Sequence, residues 1–329
     1  TGSVAYPTSS VSLVPTLTDS FASISEYTVD GNAVMDNAVF LAVGSNAVSI
    51  TVIAEDGTGT TTYSVAMTRA EALAIALAAP SVITTANQDA YGLSGTCNMT
   101  GVSVVVTLAS GSASASSSAA ACNDGTWSAT ADASSLADGI VTVTAVGSTD
   151  LETDTVTSSV NKDTTGPAVS VPASITVDAD SADGTPASNA AIAAFLEEAT
   201  AADVTDGSVS VTNDAPAVFP VGATTVTFSA SDVLGNVGSN TAVVTVEDQS
   251  PPVINAPAVF VVLGTEAGLS ATEQTIVDFI ASVTATDKVD GVLVSITNDG
   301  PEFYPFGETP VTFTAVDAAG NQATATTVV

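Results

Sequence analysis

Apolar and polar residues alternate along most of this chain in short segments that end at Gly, Pro, Asn or Asp. Residues 47–54, 61–68 and 140–145 show this alternation, which is the period of a half-buried β-strand. Apolar residues at helical spacing occur in two places: Ile192, Phe195, Leu196 and Ala199, and again Ile276, Phe279, Ile280 and Val283. The pattern predicts an all-β protein with two short helices.

One stretch of the sequence occurs twice. Residues 218–236 and 302–321 share an aromatic-Pro-x-Gly start, an alternating centre and an Asp-x-x-Gly-Asn end, and Gly222 and Gly307 are 85 positions apart. A repeat of this length suits one β-sandwich module, and 329 residues hold four of them. The sequence predicts four tandem immunoglobulin-like sandwiches: residues 1–70, 71–162, 163–247 and 248–329.

Each of the last two domains is expected to contain one of the helices. Ser188 or Asn189 can cap the first helix, and Thr272 with Glu273 can cap the second. The apolar stripe of each helix is expected to pack on the sheets of its own domain. A helix that binds a partner is the open alternative.

Charge narrows the class of partner. Only 3 basic residues accompany 35 acidic residues, histidine is absent, and the formal net charge is −32. Such a chain repels nucleic acid and anionic membranes, and no stretch reaches the ~20 apolar residues of a membrane helix. We expect no nucleic-acid partner and no membrane insertion. Bound divalent cations or a salty medium would offset the self-repulsion of the carboxylates.

The two cysteines, Cys97 and Cys122, are predicted to form one disulfide in an oxidising, extracellular compartment. Two free buried thiols in a cytosolic domain are the alternative. Trp127 is expected to pack in the core near this bond rather than to bind a ligand. Intramolecular Lys–Asn amide bonds need a buried lysine. Lys162 is expected in a linker and Lys288 lies beside Asp287, so no such bond is predicted.

The first domain resembles the closing half of the cadherin-like β-sandwich domains of bacterial surface proteins, on the runs Leu-Ala-Val-Gly-Ser-Asn, Ala-Glu-Asp-Gly and Tyr-Ser-Val-Ala-Met-Thr-Arg within residues 41–69. Only some 70 residues are available, whereas a sandwich usually has about 100. Either residues 1–18 complete the domain, or a neighbouring chain adds a strand to it. Both alternatives remain open.

The other domains carry motifs of two more families. Ser-Gly-Thr-Cys, Gly-Thr-Trp and Ala-Asp-Gly, within residues 94–139, are similar to the signatures of a bacterial Ig-like domain. The last two domains share Asp-Gly followed by Asn-Asp, besides the repeated stretch, and they resemble hyalin-repeat (HYR) domains of extracellular adhesive proteins. These resemblances imply a secreted or cell-surface protein.

The loops of both HYR-like domains hold carboxylate and amide oxygens, which are the ligands that Ca²⁺ prefers. In similar calcium-dependent surface modules a cation ties one domain to the next. The candidate ligands are Asp163, Asp203, Asp206, Asp232 and Asn236, and then Asp248, Asp287, Asp290, Asp317 and Asn321. Asp-Gly and Gly-Asn are also ordinary turn formers, so a purely structural role is the alternative.

Catalytic chemistry is not expected. Without histidine, and with both cysteines in one predicted disulfide, no serine or cysteine triad and no zinc site is available. Aromatic residues make up 5% of the chain, too few for a glycosidase cleft.

The sequence therefore predicts a structural subunit of a bacterial extracellular filament, which binds copies of itself head to tail. The alternatives are the stalk of a surface adhesin, with a cell-surface or glycan ligand, and the accessory domains of a secreted enzyme.

Overall fold

The computed structural model describes residues 2–4, 8–35, 38–293 and 295–329. This part of the chain is built from β-strands, two α-helices and a short 3₁₀ turn at Gln88–Ala90. It confirms the predicted all-β class. The chain divides into two compact units, Thr1–Thr164 and Thr165–Val329. Each unit contains two hydrophobic cores.

The first domain is a five-stranded sheet with a two-stranded sheet on part of one face. Its strands are β1 (Gly2–Val4), β2 (Ser10–Ser12), β3 (Ser23–Val29), β4 (Asn32–Ala33), β5 (Ala38–Phe40), β6 (Gly44–Ile53) and β7 (Thr60–Arg69). The large sheet has the order β1-β7-β6-β3-β4, and β2 pairs with β5. Val39, Leu41 and Val48 form a small core between the two sheets.

The amino-terminal segment supplies two strands to its own domain. β1 runs parallel to the end of β7, from the pair Gly2–Met67 to the pair Val4–Arg69, and β2 is antiparallel to β5. Through β1 and β2, the structure therefore favours completion of this domain by its own chain. Along residues 60–66, the outer edge of β7 pairs with no strand among the described residues. Beside it lies a groove of about 500 Å³ lined by Ile50, Val52 and Tyr63.

The second domain is a sandwich of two sheets. Its strands are β8 (Ile75–Leu77), β9 (Tyr91–Cys97), β10 (Ser103–Ser110), β11 (Ala113–Ser116), β12 (Ala120–Ala121), β13 (Thr126–Ala131), β14 (Gly139–Ser148) and β15 (Thr153–Lys162). One sheet has the order β11-β10-β14-β15, with β12 also on β10, and the other has the order β13-β9-β8. Alternate valines of β10 and β14 are fully buried, as the period of two requires.

The disulfide of this domain is present, between Cys97 at the end of β9 and Cys122 after β12. Trp127 lies in the same core, and its indole N–H donates to the carbonyl oxygen of Thr96 at 3.2 Å. Gly95 is required beneath it, because a Cβ atom there would lie 2.5 Å from the Trp127 ring and 1.9 Å from the carbonyl oxygen of Ala76. Trp127 is thus a core residue.

Lys162 does not lie in a linker, and that prediction is wrong. It is the last residue of β15, where it pairs with Gly139 of β14. Its side chain is only 3% exposed and forms an ion pair with Asp138. The strand continues through Lys162 because the pairing of β15 with β14 extends to the open end of their hairpin, at the pair Gly139–Lys162.

The third and fourth domains repeat one plan. The third contains β16 (Ala168–Ser170), β17 (Ile175–Asp178), β18 (Thr185–Pro186), α1 (Ala190–Glu197), β19 (Thr200–Asp203), β20 (Gly207–Val209), β21 (Val211–Asn213), β22 (Val218–Phe219), β23 (Gly222–Ser231) and β24 (Val237–Glu247). The fourth contains β25 (Val253–Asn255), β26 (Leu269–Ser270), α2 (Gln274–Ser282), β27 (Thr284–Asp287), β28 (Gly291–Leu293), β29 (Ile296–Asn298), β30 (Phe303–Tyr304), β31 (Pro310–Val316) and β32 (Gln322–Val328).

Both helices pack on the sheets of their own domains. Phe195 of α1 meets Phe228 of β23 edge-on, with ring centroids 5.7 Å apart. Phe279 of α2 stacks on Phe260 at 4.2 Å and meets Phe313 of β31 edge-on. These contacts bury the predicted apolar stripe of each helix in the core of its own domain. The stripes are therefore not exposed for binding a partner.

Only one of the two predicted helix caps forms. The Asn189 side chain accepts a hydrogen bond from the backbone N–H of Ala191 at the start of α1. Glu273 occupies the cap position of α2 without a side-chain bond to the helix. The hydroxyl of Thr272 pairs with Ser270 instead, because the preceding turn brings the two hydroxyl groups within 2.9 Å.

Replacement of both Cys97 and Cys122 by serine is expected to lower the free energy of unfolding of the second domain by roughly 3 kcal/mol, because the unfolded chain loses a covalent loop. Urea unfolding followed by the fluorescence of Trp127, the single tryptophan, measures this domain alone. Reductant should shift the wild-type midpoint and leave the double variant unchanged. Equal midpoints for the two oxidised proteins would contradict the prediction.

Candidate metal centre at the junction of the two repeats

An Asp-Gly turn joins β27 to β28. The Asp287 carboxylate accepts hydrogen bonds from the backbone N–H groups of Val289 at 2.6 Å and Asp290 at 3.2 Å. Gly291 completes the turn with a φ of 73°, in the left-handed region that favours glycine. These bonds hold Asp287 and Asp290 in one compact loop.

A second loop follows β31. The two carboxylate oxygens of Asp317 accept from the backbone N–H and the side-chain amide of Asn321, at 2.7 and 2.9 Å. Asp290 reaches across from the first loop, and its Oδ2 accepts from the backbone N–H of Ala318 at 2.7 Å. The two loops are therefore tied together through carboxylates.

The third domain builds the same arrangement. Asp203 accepts from the backbone N–H groups of Thr205 and Asp206, and Asp232 accepts from the backbone and side chain of Asn236. Asp206 accepts from the backbone N–H of Val233 at 2.9 Å, as Asp290 does from Ala318. The repeated sequence thus encodes a repeated loop pair.

The linker between the repeats adds one more carboxylate in the fourth domain. One oxygen from each of Asp248, Asp287 and Asp290 lies within 4.8 Å of the others. The side-chain amide of Asn321 donates to the backbone carbonyl of Asp248 at 3.0 Å. The Oδ2 atom of Asp248 is buried and has no hydrogen-bond partner among the described residues.

The electrostatics of this cluster are unfavourable without a counter-charge. Burial raises the pKa of Asp248, and the negative charges of Asp287, Asp317 and Asp290 raise it further, against a hydrogen bond from the backbone of Ser250. Carboxylates that converge in this way suit a hard divalent cation, which takes six to eight oxygen ligands.

The structure thus brings Asp248, Asp287, Asp290, Asp317 and Asn321 into one neighbourhood. It links Asp203 and Asp206 to Asp232 and Asn236 through the loop contacts of the third domain. Asp163 belongs to the first unit, where it is 4% exposed and its backbone N–H donates to the carbonyl oxygen of Ile83.

A clamp between the two repeats was missed by the sequence reasoning. Asp178, at the end of β17, accepts from the Gln249 backbone at 2.8 Å, from the Ser250 hydroxyl at 2.6 Å and from the Lys288 ammonium at 2.5 Å. Next to Lys288, Val289 packs against the hydrophobic core of the third domain. The fourth domain is therefore held to the third by both a polar and an apolar contact.

Burial alone would raise the pKa of Asp178, but the hydrogen bonds from Lys288, Ser250 and Gln249 outweigh it and lower the pKa to about 2. The repeat pattern holds no signal for this clamp, because the third domain has Val204 where the fourth has Lys288.

Comparison with known proteins supports the family resemblances of the first, third and fourth domains. The cadherin-like beta sandwich domain model matches residues 1–70, and the HYR domain model matches residues 162–246 and 247–329. Hyalin of Lytechinus variegatus is 36% identical over 172 residues, which is 51% of this chain and 31% of that protein. Hyalin of Strongylocentrotus purpuratus is 37% identical over 170 residues, which is 50% of this chain and 13% of that protein. The chain thus matches less than a third of either relative.

Among solved structures, the chain matches the protocadherin gammaB7 EC3-6 cis-dimer with a TM-score of 0.36 and 14% identity, over 94% of this chain and 92% of that one. A three-Ig structure of titin has a TM-score of 0.37 and 11% identity over 78% of this chain and 98% of that one.

The matched families are adhesion-type, non-catalytic domains of extracellular and cell-surface proteins, so the chain is extracellular. No helix in the described part of the chain is both long and apolar enough to span a membrane. Because the HYR model accounts for more than half of the residues, the chain belongs to the HYR domain family.

Proposed function

We propose that this protein is a structural subunit of an extracellular filament and that it transmits load from domain to domain. The junction of the two HYR domains carries this proposal. There, Val289 packs against the core of the third domain and Lys288 binds Asp178, so that bending of the junction has to break both contacts. The non-catalytic character of the matched families supports a role without turnover.

Assembly is proposed to be head to tail between copies of the chain. The unpaired edge of β7 along residues 60–66 offers backbone groups to an added strand, and the groove beside it offers Ile50, Val52 and Tyr63 to the side chains of that strand. The proposal of a bacterial source rests on the resemblance of the first two domains to domains of bacterial surface proteins. The two hyalins come from Lytechinus variegatus and Strongylocentrotus purpuratus.

The second candidate function is the stalk of a larger adhesin that binds a cell-surface or glycan ligand elsewhere. The coverage of the two hyalins favours this candidate, because this chain matches only 31% and 13% of their lengths. Accessory domains of a secreted enzyme form a third candidate, which an adjoining catalytic domain in the same polypeptide would support.

Calcium is proposed to stiffen the junction. Asp248, Asp287 and Asp290 would hold the cation together with Asp317, and Asn321 would position the linker through its bond to Asp248. The buried Oδ2 of Asp248 fits this role, because a cation would supply the interaction that no donor in the described part of the chain supplies. Asp203, Asp206, Asp232 and Asn236 are proposed ligands of the third domain, and Asp163 remains a predicted ligand.

Electron microscopy of the purified chain should show long fibres with a repeat of one subunit if copies join head to tail. Tyr63→Glu should abolish the fibres, because it places a charge beside the apolar groove, and the matched Tyr63→Phe should retain them. Discrete particles of wild-type protein would instead support the adhesin stalk. Fibres of all three proteins would exclude strand addition at this groove.

Asp248→Asn should raise the melting temperature in chelator, because it removes one of several repelling carboxylates, and it should reduce the increase that Ca²⁺ produces in the wild type. Calorimetry with and without Ca²⁺ measures both effects. Glu266→Gln, which removes an exposed carboxylate outside the cluster, is the matched control and should keep the full calcium response. A wild-type melt that is unchanged by Ca²⁺ would remove calcium from the proposal.

The clamp between Lys288 and Asp178 should depend on pH. Both side chains are about one-third exposed, so the ion pair is expected to contribute about 0.2–1 kcal/mol. The pKa of Asp178 is about 2 in the folded protein, below its unfolded value of about 3.9. The stabilisation is therefore fully present above the unfolded pKa and is lost as the pH falls toward 2.

A double-mutant cycle of Lys288→Met and Asp178→Asn isolates this pair from the other carboxylates of the chain. The coupling energy from urea unfolding should be favourable near neutral pH and should vanish in acid. A coupling that is the same at both pH values would show that the pair does not act through charge.

A further inference from the structure

The second domain contains a buried pair of reactive side chains that the filament proposal does not use. Lys162 is 3% exposed and Asp138 is 8% exposed, and the distance from Nζ of Lys162 to Oδ1 of Asp138 is 3.0 Å. Lys162 ends β15, and Asp138 directly precedes β14, where Gly139 pairs with Lys162. The ladder between the two strands thus fixes the backbone of both residues.

Thr164 binds both oxygens of the same carboxylate. Its hydroxyl accepts a hydrogen bond from Nζ of Lys162 at 3.0 Å and donates to Oδ1 of Asp138 at 2.8 Å. Its backbone N–H donates to Oδ2 of Asp138 at 3.1 Å. The amine of Lys162, the hydroxyl group of Thr164 and the backbone N–H of Thr164 therefore all contact the carboxylate of Asp138. The N–H group lies where it could stabilise negative charge on Oδ2.

Burial makes the charged form of this pair costly, because both ions have lost most of their hydration. Formation of an amide would remove both charges and release one water molecule. Groups held at contact distance in a fixed orientation react with effective molarities of about 10⁵–10⁸ M, which can drive a condensation that does not occur between free side chains.

We propose that Lys162 and Asp138 condense to form a side-chain amide bond. Nζ first transfers a proton to Oδ1 of Asp138, for which the Thr164 hydroxyl provides a hydrogen-bonded path. The lone pair that is freed on Nζ then attacks the Cγ carbon of Asp138, and the backbone N–H of Thr164 stabilises the negative charge on Oδ2. Oδ1 then leaves as water. The ammonium and the carboxylate together bring three protons, of which two depart in the water and one stays on the amide nitrogen. No oxidant, reductant or cofactor enters the balance.

The bond would act where the chain leaves the second domain. It would join β15 to the start of β14 at the last pair of their ladder, so that a pull on Thr164 could not peel β15 from the sheet without breaking a covalent bond. This inference concerns one domain and does not depend on self-assembly of the chain.

The intact mass of the full chain, with its disulfide reduced, tests the proposal. The expected mass is lower than the sequence mass by one water molecule. Trypsin gives a second readout, because its only sites are Arg69, Lys162 and Lys288. After denaturation, a chain with the amide bond should resist cleavage after Lys162 and yield the fragment 70–288. Wild-type protein with the full sequence mass and cleavage after Lys162 would overturn the proposal.

Three variants test whether a missing water molecule comes from the proposed amide bond or from another reaction. Lys162→Arg should have its full mass and be cleaved at position 162, whereas the matched control Lys288→Arg should still lack one water. Asp138→Asn is the most specific variant. Condensation of Asn at position 138 with Lys162 would release ammonia in place of water, and the product would have the same mass as the condensed wild-type protein. Loss of water from Lys162→Arg would also overturn the proposal, since it would place the dehydration elsewhere.

Discussion

Carboxylates that accept backbone hydrogen bonds hold the loops of this protein together. Asp203 and Asp287 each accept from two N–H groups of the turn that follows them, and Asp206 and Asp290 reach from that turn to the next loop. Backbone N–H groups, rather than basic side chains, thus bind these carboxylates and fix the conformation of the loops at the end of each repeat. This arrangement also concentrates negative charge at those ends, which is why the proposed function includes a cation.

The three basic residues show how scarce positive charge is used. The guanidinium of Arg69 donates to the carbonyl oxygen of Leu41, Lys162 is buried against Asp138, and Lys288 joins the fourth domain to the third through Asp178. Each contact lies at the end of a strand or at a domain junction. An exposed ion pair such as that of Lys288 with Asp178 contributes little stability, so its value lies in orientation rather than in energy.

Much of the fold could be predicted, because alternation and repetition are local properties of the sequence. The strands β6, β7 and β14, the two helices and the core positions Phe195 and Phe279 follow from periodicity. The assignment of Lys162 to a linker failed because a lysine near a Gly-Pro turn carries no local sign that its strand continues. The cap of α2 failed because Thr272 had a nearer hydroxyl partner in Ser270.

The sequence by itself determined the all-β class, the internal repeat and the set of acidic residues in the loops, since these depend on the order of residues along one segment. Only the tertiary structure decided which of those residues meet. Three contacts join residues that are far apart in the chain. Asp248 lies close to Asp287 and Asp290, Lys288 binds Asp178, and Lys162 is buried beside Asp138. Such contacts depend on how strands are paired across a domain, which local patterns do not encode.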